Sequence, residues 1–99
     1  MKIRGTDVII KNKDLITNEY KDKVYILDPQ NGTIHTLNET ATFIWKSLKN
    51  NNSVVEIANS ITKKFQVGKK QAFEDTRNFL ENYLLKSLVF QKKSSKKLI

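Results

Sequence analysis

The chain has 99 residues, 38% of them apolar, a formal charge of +8 and no cysteine. That length suits one small domain with a single core, and the missing thiols exclude a disulfide framework and a cysteine-based metal site. His35 is the only histidine, which excludes a multi-histidine centre, and no apolar run approaches the ~18 residues of a membrane span.

The first residues, Met1–Asp7, lack the apolar stretch of a signal peptide, so a soluble cytoplasmic protein is expected. Residues 1–13 read as an N-terminal arm or short strand around Val8-Ile9-Ile10. Leu15–Tyr20 is a weaker strand candidate, followed by a Lys21-Asp22 turn. Val24–Leu27 is the strongest strand. It is apolar on both faces, as a central strand covered on each side would be. Pro29-Gln-Asn-Gly32 supplies turn residues, proline by presetting its own dihedral and Asn-Gly by tolerating positive φ. Thr33–Leu37 alternates, with β-branched residues, and closes a hairpin on Val24–Leu27.

Three helices follow. Asn38 suits an N-cap and Glu39 favours a first turn. Ala41, Ile44, Trp45 and Leu48 then recur at helical spacing as a buried stripe. Lys49-Asn-Asn-Asn52 breaks that helix. Ser53 caps the next, and Glu56 completes a capping box. Its apolar face is Val54, Ile57, Ala58, Ile61 and Phe65. After Val67-Gly68 the last helix runs roughly Lys69–Ser87, with Ala72, Phe79, Leu80, Tyr83 and Leu84 on one side. Leu88-Val89-Phe90 returns to the core. Residues 91–99 form a basic tail with the composition of a disordered end. Removing its four lysines leaves 14 basic against 10 acidic residues, or +4, for Met1–Phe90. Half of the excess charge therefore sits outside the folded body. The expected class is α+β and winged-helix-like: a three-stranded antiparallel sheet followed by three helices.

The run Ile26-Leu-Asp-Pro, Thr33-Ile-His-Thr-Leu-Asn-Glu-Thr-Ala41, Ile44-Trp45 and Leu48 resembles the PqqD-like family, the RiPP recognition elements. Ser53-Val-Val-Glu-Ile-Ala58, Glu74-Asp75-Thr-Arg-Asn-Phe79-Leu80 and Leu88-Val89 resemble later pieces of that family in the right order. The likeness spans roughly residues 14–90, the peptide-recognition domain. One departure is Ser87, where the family often has glycine. The resemblance implies a non-catalytic adaptor that binds the leader of a ribosomally made precursor peptide and presents it to a modifying enzyme. A radical-SAM maturase and a lasso-type leader peptidase are both compatible partners. No cofactor, metal, membrane or specific nucleic acid is expected.

The physical reading agrees. Thr33–Leu37 is an edge strand, and a peptide can add to such an edge by main-chain hydrogen bonds. The resemblance implies peptide-binding residues Thr33, Ile34, His35, Thr36 and Leu37 on the strand, and some of Phe73, Thr76, Arg77 and Leu80 on the facing last helix. Arg77, Lys69 and Lys70 would complement an acidic leader. The same edge is able to pair with a second copy as a homodimer.

Plainer readings stand beside these. Ile34 and Leu37 suit a core, His35 a polar edge position, Phe73 a satellite core contact, and Arg77 a solvated charge. The alternative function is a DNA-binding winged helix. It would read base edges with Asn59, Lys63 and Lys64 of the second helix, but Glu56 in that helix's first turn is unfavourable next to phosphate. An enzyme is disfavoured, because no nucleophile–base set, metal-ligand cluster, phosphate loop or paired-carboxylate motif occurs.

Overall fold

The computed structural model describes residues 3–92. Its central feature is an antiparallel meander of β2 (Ile16–Tyr20), β3 (Lys23–Asp28) and β4 (Thr33–Thr36), in that order across the sheet. The first hairpin turns on Lys21 and Asp22, with φ of 52° and 65°. These are the mirror-image values that suit the right-handed twist of the strands, here without the usual Asn-Gly. The second turn is organised by Asp28, which is buried. Its carboxylate accepts from the Gln30 amide at 3.1 Å and from Asn31 Nδ2 at 2.8 Å. Gly32 closes the turn at φ 64°.

Alternation along β3 sets the two faces of the sheet. Val24, Ile26 and Asp28 are buried against the helices, while Tyr25 and Leu27 are half-buried on the other side. The expectation of a strand covered on both faces therefore fails. Its apolar outer residues meet only cross-strand neighbours, among them Ile16 and Ile34, which are both exposed.

α1 (Glu39–Ser47) starts where the sequence reading places it: Asn38 Oδ1 accepts from the Ala41 amide at 2.8 Å. Thr42 ties this helix to the sheet. Its buried hydroxyl accepts from the Val24 amide and donates to the Leu37 carbonyl. α2 (Val54–Phe65) opens on the full Ser53/Glu56 capping box, a device worth ~1 kcal/mol. α3 (Lys69–Leu85) ends two residues before Ser87. The Leu88 amide then bonds to the Tyr83 carbonyl and the Ser87 amide to the Leu84 carbonyl. This is a Schellman stop with Ser87 at its left-handed position, φ 60°.

β5 (Val89–Gln91) returns to pair with β1 (Ile9–Lys11) as a separate two-stranded sheet. The N-terminal arm is thereby stitched to the end of the domain, and Ile3 and Ile9 join the core. That core is centred on Ile26, Ile44, Trp45, Ile57, Ile61, Leu80, Leu88 and Val89. Of the basic tail expected over 91–99, residues 93–99 lie outside the described residues. No helix among the described residues is long and apolar enough to cross a membrane.

Candidate functional site

β4 is bonded to β3 on one side only, and its register decides which backbone groups are free. Leu37 donates to the Val24 carbonyl at 3.0 Å. In an antiparallel ladder, hydrogen-bonded and non-bonded pairs alternate. The pairs His35–Ile26 and Thr33–Asp28 therefore carry ladder bonds, whereas Ile34–Leu27 and Thr36–Tyr25 do not. The amides and carbonyls of Ile34 and Thr36 consequently point away from the sheet along its open edge. Their side chains lie on the outer face, and Ile34 is 69% exposed. Thr33 and His35 turn their side chains toward the helices.

α3 forms the opposite wall. The His35 and Tyr83 rings lie 5.8 Å apart, and Phe79 stacks obliquely on Tyr83 at 4.3 Å. Tyr83 also meets the edge of Trp45 at 6.0 Å, so the aromatic wall is anchored directly in the core. Burial pushes the Tyr83 hydroxyl up to about 12.

Two hollows mark this cleft. One, of about 260 Å³, is lined by Asn38, Thr40, Ala41, Ile44, Asp75 and Phe79. The other, of about 510 Å³, lies at the opposite end of β4, between Asp28, Asn31, Thr33 and His35 on one side and Leu85, Lys86 and Ser87 on the other. α3 thus runs antiparallel to β4, with a mixed polar and apolar hollow at each end. No cluster of three His, Cys, Asp or Glu among the described residues is placed to hold a metal ion.

The expected strand residues divide by orientation. Thr33 and His35 line the cleft, Ile34 and Thr36 supply the open edge, and Leu37 is core, 2% exposed. The expected helix residues fall elsewhere. Thr76 and Leu80 are fully buried, and the Thr76 hydroxyl donates to the Ala72 carbonyl at 2.8 Å. Phe73 packs beside Gly5 of the N-terminal arm. Arg77 reaches Glu81 at 3.5 Å, and Glu81 accepts from the Ile3 amide at 2.9 Å. Phe73 and Arg77 thus face the arm and not β4. Lys69 and Lys70 are exposed in the first turn of α3.

The residues of α3 that line the hollows or face β4 are Asp75, Phe79, Tyr83 and Leu85, with Lys86 following at the helix cap. Sequence reasoning assigned none of them to the site. The four-residue spacing of Asp75, Phe79 and Tyr83 was the available signal. It differs in phase from the expected set by about one residue, or about 100° of helix rotation.

Comparison with known proteins agrees with this fold. The chain resembles the solved structure "TbiB1 in Complex with the TbiA(beta) Leader Peptide" with a TM-score of 0.78 and 24% identity, over 86% of this chain and 99% of that one. A second structure, "Lasso peptide synthetase B1 complexed with the leader peptide", gives a TM-score of 0.77 at 18% identity, over 84% and 98%. At these identities the likeness establishes the fold. Among curated proteins, none matches the chain. The family described as "Coenzyme PQQ synthesis protein D (PqqD)" matches residues 23–89. That match covers more than half of the chain and takes in the open strand, the capped helices and the aromatic wall, so the chain belongs to the PqqD family.

Proposed function

We propose that this chain is a non-catalytic adaptor that binds the leader of a ribosomally made precursor peptide as an added strand along β4, and presents it to a modifying enzyme or leader peptidase. The observation that carries this reading is the open edge. Ile34 and Thr36 direct unpaired backbone groups into a cleft whose far wall is Phe79 and Tyr83. A peptide there gains main-chain hydrogen bonds from β4, and its alternate side chains enter the two hollows. The structural relatives, each solved with a leader peptide, and the family match support the same reading.

The DNA-binding alternative has thinner support. The first turn of α2 holds Glu56, whose carboxylate accepts from the Ser53 amide and would face a phosphate with like charge. Binding of leader by the whole of β4 and α3 is tested by titrating isotope-labelled protein with a synthetic leader peptide. Amide shifts should concentrate at Ile34 and Thr36 and along Asp75–Lys86. Shifts confined to Val54–Phe65 would overturn the assignment.

A further inference from the structure

The outer face of the β2–β3–β4 sheet is unusually poor in charge for a chain in which 28% of residues are charged. Cross-strand pairing puts Ile16, Leu27 and Ile34 in one row across the three strands, with Asn18, Tyr25 and Thr36 in the next. Tyr20 and Lys23 complete the face near the first turn. Ile16, Tyr20 and Ile34 are 50%, 61% and 69% exposed. No side chain on this face is acidic, and its one formal charge is Lys23. Adjacent Lys21 lies over the Tyr20 ring at 5.4 Å. An exposed apolar patch of this kind marks an interaction surface.

Two arguments select the occupant. A second copy placed face to face would bring together two chains of charge +8. The sheet is also small. Three strands ~4.8 Å apart and ~5 residues long cover only a few hundred Å², against ~800 Å² per partner in a stable interface. The face suffices only if something extends it. Ile34 and Thr36 border the open edge, so a strand added there sets its own outward side chains beside them and lengthens the Ile16–Leu27–Ile34 row by one position.

Resting on the peptide-binding reading above, we infer that this outer face is where the enzyme acting on the bound precursor docks, through an apolar strip bordered by carboxylates. The enzyme then contacts sheet and peptide together, so the loaded adaptor recruits it more tightly than the empty one.

The test uses the full chain, a synthetic leader of a precursor peptide that it binds, and the enzyme that modifies that precursor. Ile16→Glu sits two strands from the peptide edge. It should leave leader affinity within about twofold and lower precursor turnover at least about tenfold. Ile16→Lys should lower turnover less, because it does not oppose the carboxylate border. Thr17→Glu, on the opposite face of the same strand, should change neither. Tyr20→Glu, at the exposed end of the sheet, repeats the test if Ile16→Glu lowers the melting temperature. Unchanged turnover in both glutamate variants, with leader affinity intact, overturns the docking face alone. Failure of the wild-type chain to bind leader at all overturns the peptide-binding reading and this inference with it.

Discussion

His35 on β4 and Tyr83 on α3 face each other across the cleft, with ring centroids 5.8 Å apart. The same Tyr83 supplies the carbonyl that receives the Leu88 amide at the helix stop. One residue therefore fixes both the width of the cleft and the point at which the chain turns back into the core. Anything that loosens the stop should widen the cleft, and a peptide wedged against the ring should stiffen the stop.

This link predicts an alkaline signature. Burial raises the Tyr83 hydroxyl to about 12, above its unfolded value near 10. A raised phenol favours the protonated form in the fold. The stability it contributes is complete below about pH 10 and is lost as pH climbs toward 12. Denaturant melts across that window should fall less steeply for Tyr83→Phe than for the wild type. Parallel curves would mean that the hydroxyl is solvated.

Ser87 gives a second test. It holds φ 60° at the left-handed position of the Schellman stop, where a side chain costs ~1 kcal/mol relative to glycine. Ser87→Gly should stabilise the domain by ~0.5–1 kcal/mol, partly offset by the freer unfolded chain. A thermal melt should rise by a few degrees. No gain would show that the serine side chain makes contacts at the turn that glycine cannot replace.

Much of this architecture was legible in the sequence because the signals were local. Asn38, Ser53 with Glu56, and Pro29 to Gly32 each act within a few residues, and each appears where it was read. The edge strand was legible from its place in the meander. The helix side of the cleft was not. Periodicity reveals that α3 has an apolar stripe, but Phe73 and Phe79 flank that stripe on opposite sides. Only the N-terminal arm decides which flank is taken. Its pairing with β5 and the bond from Ile3 to Glu81 are contacts across almost the whole chain, and no local pattern encodes them. The meander's open outer face escaped for a similar reason: a strand apolar on both sides reads as covered whether or not a second layer exists.

The phase of α3 is itself testable by charge reversal. Arg77→Glu places like charges at Arg77's present partner Glu81, an i,i+4 repulsion of ~0.2–0.5 kcal/mol. It should slightly destabilise the arm and leave leader affinity within about twofold. Lys86→Glu lines the larger hollow and should weaken an acidic leader severalfold at low salt, with the effect shrinking as salt screens it. If Arg77→Glu showed the salt-dependent loss and Lys86→Glu were silent, the peptide would lie on the arm side of α3.

The most direct test separates two neighbouring amides. The His35 amide belongs to the ladder bond with Ile26, whereas the Thr36 amide points to the open edge. Proline removes one donor at either position, and edge strands tolerate it only where that donor faces outward. Thr36→Pro should therefore fold with a melting temperature close to wild type and bind leader about tenfold more weakly, ~1.4 kcal/mol. His35→Pro breaks an internal bond beside buried Ile26. It should destabilise the domain by ~1–3 kcal/mol before any question of binding arises. Calorimetry of each variant, alone and with leader, reads both effects. Thr36→Pro with full affinity would mean that the peptide does not pair with β4, whatever else holds it in the cleft.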